Sequence, residues 1–163
     1  MDWFLFVDAS DAAVGAVLIQ KNAEGVQEII SFVSKKFTTI ATKWTTIEKE
    51  AFAIYYAVHT LEQYLKGKFF TILTDHHNLI WIELSTVPKI IRIRLFLQSF
   101  HFQLIHIKGK DNIFADFLSR MYPIDKNNIS IKNIISDDNE NNNHNLNTID
   151  NNDGNSEDDE NIL

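Results

Sequence analysis

Apolar positions in the first 34 residues come as three short runs separated by turn formers. Residues 3–7, 13–19 and 28–34 are each rich in Val, Ile, Leu or Phe, and each is too short for a helix of ordinary length. Asp11 stands between the first two runs, and Asn22 and Gly25 stand between the second and third, as in hairpin connections. Three strands with short links predict an antiparallel meander. The first run leads directly into Asp8, so a buried-looking strand ends on a carboxylate.

From Thr45 the period changes. Ile47, Ala51, Ile54, Tyr55, Val58, Leu61 and Leu65 recur three or four residues apart, which predicts one amphipathic helix of about five turns. Thr45 and Glu48 form a T-x-x-E capping box at its start, and Gly67 stands just past its end. Residues 69–74 form a fourth strand run that again ends on an acid, Asp75. A short helix is expected to follow as far as Leu84. Pro88 opens another, with Ile90, Ile91, Ile93, Leu95, Phe96, Leu97 and Phe100 as its apolar positions. Residues 102–107 read as a fifth strand closed by Gly109, and residues 111–120 as a last helix capped by Asp111 or Asn112.

The order β-β-β-α-β-α-α-β-α predicts an α/β fold, a mixed sheet covered by helices. Strands joined through a helical crossover run parallel, so strands one and four can present Asp8 and Asp75 at one sheet edge. Open sheets of this kind hold ligands outside the carboxyl ends of their strands.

Charge changes the picture of the domain boundaries. The net charge of −7 divides unevenly: residues 1–123 carry 13 Lys and Arg against 12 Asp and Glu, whereas residues 124–163 carry 2 Lys against 10 acids and 13 Asn. The second stretch is poor in aromatics and buries too little to offset its ordering entropy, so 124–163 is expected to be a disordered acidic tail. Residues 1–123 then form one domain of ordinary size. With no cysteine, disulfides and thiolate metal sites are excluded, and a reducing compartment is the simpler reading. No apolar run approaches the roughly 20 residues of a membrane-spanning helix, and the start Met-Asp-Trp-Phe lacks a basic signal region. The expectation is an intracellular chain without a membrane partner, cytoplasmic or nuclear.

Four acids fall on four different elements: Asp8 and Asp75 at strand ends, Glu50 in the first turns of the long helix, and Asp116 on the last helix. Singly, each suits a structural role, because Asp is a good turn or cap residue and a helix Glu is usually solvated. As a set they also fit a catalytic cluster held on a rigid scaffold.

The stretches FLFVDASDAAVGAVL, WTTIEKEAFAIYYAV, FFTILTDHHNLIWI and IHIKGKDNIFADFLSR resemble the ribonuclease H domain of LTR-retrotransposon reverse transcriptases, above all the gypsy class and the related plant pararetroviruses. The resemblance runs in order over residues 3–122. It implies the ribonuclease H-like fold, with three antiparallel strands, then two parallel ones, and flanking helices. It also implies an endonuclease that cuts the RNA strand of an RNA–DNA hybrid, leaving a 3′-hydroxyl and a 5′-phosphate. Two divalent metals, Mg²⁺ or Mn²⁺, would be bound by four carboxylates. The motif matches carry that role onto Asp8 (V-D-A-S), Asp75 (T-D-H) and Asp116 (N-x-x-A-D). For the helix acid the choice lies between Glu48 and Glu50. Glu48 has the capping box to serve, and Glu50 precedes the A-F-A-I-Y-Y-A-V run as in the family's helix motif, so Glu50 is expected. Hard cations prefer such oxygen donors, and a metal pair about 3.5–4 Å apart can straddle one phosphodiester.

His106 lies ten residues before Asp116, where retroviral relatives place a histidine that assists proton transfer or product release; as a strand residue it equally suits a structural role. His76 and His77 lack the second spaced pair that a zinc site needs, and His59 and His101 read as surface residues. Lys35, Lys36, Lys66, Lys68, Arg92, Arg94, Lys108 and Lys110 are scattered rather than gathered in a basic strip, which predicts weak, salt-sensitive binding of a hybrid by the domain alone. Ile93 and Lys108 stand where the family often has Trp and Pro, and neither is an expected metal ligand. The chain has no Y-x-D-D polymerase motif, and its tail stands where the family places an integrase. It therefore reads as a fragment or relic frame of a polyprotein whose polymerase domain is a missing partner. Two functions compete: an active ribonuclease H, and a catalytically inactive remnant serving as a binding or structural module. A transposase or integrase of the same superfold is disfavoured, because those enzymes take a late-helix Glu where this chain has Asp116.

Overall fold

The computed structural model describes residues 1–76 and 84–122. Five strands, β1 (Asp2–Ala9), β2 (Ala13–Lys21), β3 (Gln27–Lys36), β4 (Phe69–Thr74) and β5 (His101–His106), form one sheet in the order β3-β2-β1-β4-β5. β1–β2 and β2–β3 pair antiparallel, and β1–β4 and β4–β5 pair parallel. The fold is the ribonuclease H-like one expected from the sequence. The β2–β3 turn is shaped by Asn22, whose Oδ1 accepts from the Glu24 and Val26 amides, and by Gly25 at φ 86.

Among the described residues four α-helices accompany the sheet: α1 (Thr46–Thr60), α2 (Glu62–Leu65), α3 (Pro88–Leu97) and α4 (Ile113–Arg120). The single helix expected from Thr45 to Leu65 is two, parted at Leu61, which adopts φ −101 and ψ 14. The capping box stands as read, with the Glu48 amide donating to Thr45 Oγ1 and the Thr45 amide to Glu48 Oε2. α1 is not buried along one stripe. Lys49 through Tyr55 are all buried, together with Ala57 and Val58, while the predicted stripe residue Ile47 lies at the surface. Trp44, Tyr55 and Tyr56 pack their rings on Phe52, which is fully buried, and this consolidates the layer.

α3 starts at Pro88 as expected and buries Ile90, Ile93 and Leu97; Leu95 faces solvent. The last helix is shorter than the 111–120 span, because residues 109–111 form a separate 3₁₀ turn. Asn112 occupies its cap position without capping it: the side-chain amide donates instead to the Val7 carbonyl of β1 at 3.0 Å. Alternation along β1 turns Leu5 and Val7 to the face covered by α1, on which α3 packs in turn, and Asp8 to the face covered by α4. The short helix expected between residues 76 and 84 and the tail 124–163, with the boundary at 123, lie outside the described residues. Among the described residues no helix is long and apolar enough to cross a membrane.

Candidate active site

Because β4 runs parallel to β1, both strands end at the same edge of the sheet. Asp8 lies near the end of β1, opposite Gly15 of β2, and Asp75 follows Thr74 directly. α1 brings Glu50 to that edge from one face, and α4 brings Asp116 from the other. Asp8 is 4% exposed and Glu50 6% exposed, whereas the Asp116 side chain is 42% exposed.

The four acids share one electrostatic field. Burial raises the Asp8 carboxyl above its ordinary value; a hydrogen bond from Ser119 opposes this, and the neighbouring charges of Asp75 and Asp116 add to it. Burial pushes Glu50 up to about 8, with further upward pressure from Asp8 and Asp75. Glu50 Oε2 is buried with no hydrogen-bond partner. A buried, unpartnered carboxylate oxygen beside two other carboxylates is what a bound cation would relieve. Glu48 is otherwise engaged, in the cap and in an ion pair with Lys89 at 3.3 Å.

Asp75 is held by its surroundings on the main chain. Its carbonyl accepts from His106 Nε2 at 3.0 Å, and the Ile107 amide donates to the Thr74 carbonyl at 2.8 Å. Gly109 lies against its carboxylate: a Cβ at that position would stand 3.0 Å from Asp75 Oδ2. His106 is thus placed beside Asp75 rather than on an isolated outer strand position. His77 lies outside the described residues.

α4 sits directly on the backbone of β2. A Cβ on Gly15 would stand 2.2 Å from the Ala115 carbonyl oxygen and 2.4 Å from the Ser119 amide nitrogen, so only glycine permits this approach. Ser119 Oγ donates to Asp8 Oδ2 at 2.5 Å, and Asp116 Oδ1 pairs with Arg120 Nε at 2.5 Å. Sequence reading missed Gly15, Ser119 and Arg120. The available signals were an isolated glycine inside a strand, and residues three and four places after Asp116, one turn along the same helix face.

The donor set suits hard divalent cations: four carboxylates and no sulfur. Among the described residues no group of three or more acidic or histidine side chains is already arranged to hold a metal ion. Two of the four carboxylates instead have protein partners, Ser119 and Arg120. The orphaned oxygen of Glu50 and the crowding of like charge around it are the two features a cation would relieve.

The described fold and this edge have parallels among known proteins. Residues 2–100 match the family model described as the RNase H-like domain found in reverse transcriptase. The Pol polyprotein of transposon 412 from Drosophila melanogaster is 39% identical over 122 residues, covering 74% of this chain and 10% of the relative. The transposon Tf2-3 polyprotein of Schizosaccharomyces pombe is 37% identical over 123 residues, covering 72% and 9%. The chain thus spans about a tenth of the length of these relatives. Among solved structures, RNase H1 from Halobacterium salinarum superposes with a TM-score of 0.54 at 17% identity, covering 72% of this chain and 92% of that one. The foamy viral protease-reverse transcriptase in complex with an RNA/DNA hybrid gives 0.55 at 16% identity, covering 66% and 15%. These two show the shared fold. The family match and the polyprotein relatives show more: the chain belongs to the RNase H-like domain family of reverse transcriptases in retrotransposon polyproteins.

Proposed function

We propose that this domain is a divalent-metal-dependent endonuclease that hydrolyses the RNA strand of RNA–DNA hybrids, within a gypsy-class reverse transcriptase. The observation that carries the reading is Glu50, a buried carboxylate with an unpartnered oxygen and two acidic neighbours. Asp8, Glu50, Asp75 and Asp116 would hold two Mg²⁺ or Mn²⁺ ions. Bound there, the ions supply the positive charge that activates a water and stabilises the leaving oxygen at a phosphodiester. The chain's own part is placement. β1 and β4 fix Asp8 and Asp75 rigidly, α1 seals Glu50 from water, and α4 presents Asp116 at the more open side.

His106, whose Nε2 donates to the Asp75 carbonyl, would pass a proton near the scissile phosphate, although the same hydrogen bond also ties β5 to the end of β4. A hybrid would be selected through its backbone, groove shape and 2′-hydroxyls rather than its sequence. The domain would act beside a polymerase domain of the same polyprotein. One observation favours the alternative, an inactive remnant serving as a binding module: Arg120 already occupies an oxygen of Asp116.

A hybrid labelled on each strand separates the two readings. The active reading predicts that the RNA strand alone is cut in Mg²⁺ or Mn²⁺, with 5′-phosphate products, and that EDTA stops it. Absence of cleavage by the folded protein in both metals establishes the remnant.

A further inference from the structure

We propose that Ser119 is a positioning residue of this site, its buried hydroxyl fixing the Asp8 carboxylate in the orientation that holds a cation. The inference rests on the nuclease reading above. Ser119 is fully buried in the last turn of α4. Its Oγ lies 2.5 Å from Asp8 Oδ2 and 2.9 Å from the Asp116 carbonyl oxygen. A hydroxyl has one proton to donate. The carboxylate oxygen is the closer and, once ionised, the stronger acceptor, so the proton goes to Asp8 rather than back to the helix.

The hydroxyl is held from its main chain outward. The Ser119 carbonyl accepts from Ser10 Oγ, in the turn that follows β1, at 2.5 Å. Its amide stands against Gly15 so closely that no side chain fits between them. About two helix turns back, Asn112 ties the start of α4 to the Val7 carbonyl, next to Asp8 along β1. The donor and its acceptor are thus anchored to the same strand pair and move together. With Oδ2 tied, the carboxylate has one orientation and one remaining oxygen for a cation. Such outer hydrogen bonds to ligating carboxylates are worth about 10–100-fold in metal affinity.

The test measures Mn²⁺ affinity by calorimetry, cleavage kinetics on a hybrid, and Tm, all on the full chain. The variants are Ser119→Ala, Ser119→Cys and Ser10→Ala. Ser10→Ala loosens the same helix turn without touching Asp8, so it reports a purely structural effect. The expected result is an Mn²⁺ affinity about 10-fold weaker or worse in Ser119→Ala, with lower kcat and unchanged KM for the hybrid. Ser119→Cys, which nearly keeps the volume and has a weaker donor, falls between; it carries the comparison if the alanine variant folds poorly. Ser10→Ala lowers Tm and weakens Mn²⁺ affinity clearly less than Ser119→Ala does, because the Ser119 hydroxyl that donates to Asp8 is kept. Equal affinity in wild type and Ser119→Ala, or an equal loss in Ser10→Ala, overturns the role of Ser119 and leaves the nuclease reading standing. Wild-type protein that binds no Mn²⁺ overturns the nuclease reading itself, and this inference with it.

Discussion

α1 and α4 flank the same sheet, deliver one acid each to the same edge, and are attached by different forces. α1 is buried through most of its length and anchored by aromatic packing, with Tyr55 against Phe96 at 4.9 Å and Trp44 against Phe52 at 5.3 Å. α4 buries only Ala115 and Ser119, while Ile113, Phe114 and Phe117 are more than half exposed. Polar clasps and a close backbone approach hold it: Ser10 to the Ser119 carbonyl, Ser34 to the Leu118 carbonyl at 3.2 Å, Asn112 to the Val7 carbonyl, and Gly15 beneath. Apolar burial is non-directional and tolerates small shifts. A hydrogen-bonded helix seated on glycine has one position, which suits an element that must set Asp116 and Ser119 to within hydrogen-bond precision.

The sharpest way to break the comparison is one substitution on each side. Phe52→Ala empties a fully buried ring from under α1 and should lower stability by about 3–5 kcal/mol. The fraction still folded should bind Mn²⁺ as wild type does. Gly15→Val should destabilise less, by about 1–3 kcal/mol, because α4 can lift away from the sheet. It should nevertheless abolish hybrid cleavage, since Asp116 leaves with the helix. Denaturant melts paired with Mn²⁺ calorimetry check both, and matching losses of stability and affinity in the two variants would erase the distinction.

This contrast also explains what could be read in advance. The strands, the capping box and the two parallel strand ends that carry Asp8 and Asp75 follow from local period and turn chemistry, which the sequence displays directly. The break at Leu61 does not, because the apolar spacing continues across it to Leu65. The burial of α1 on nearly all sides also exceeds what its periodicity indicates. It reflects packing between the sheet and α3, a tertiary fact. Asn112 was legible as a helix start but not as a tie to Val7, because the partner lies 105 residues away. Ser119 and Ser10 carry no periodic signature at all. The acids were visible as residues; their convergence depended on the fold.

A smaller effect sharpens the α1 side. Glu50 is pushed up to about 8 from an ordinary 4.5, so the folded chain keeps a proton that the unfolded chain has released between those values. Stability therefore falls as pH rises from about 4.5 to about 8, and this loss is fully present above that window and absent below it. Glu50→Gln should stabilise the metal-free protein at pH 8 by more than about 1 kcal/mol and leave it unchanged at pH 4. Added Mg²⁺ should stabilise wild type at pH 8 and have little effect on the variant. Thermal melts at the two pH values decide it.

If the acids at this sheet edge work as one metal-dependent nuclease site, as proposed, Asp75→Asn silences it. The measurement is cleavage of a labelled RNA–DNA hybrid in Mg²⁺ and in Mn²⁺ by wild type and variant, with far-UV circular dichroism on both. Wild type should cut the RNA strand, Asp75→Asn should cut neither strand, and the two spectra should superimpose. Turnover retained by the variant would contradict the proposal.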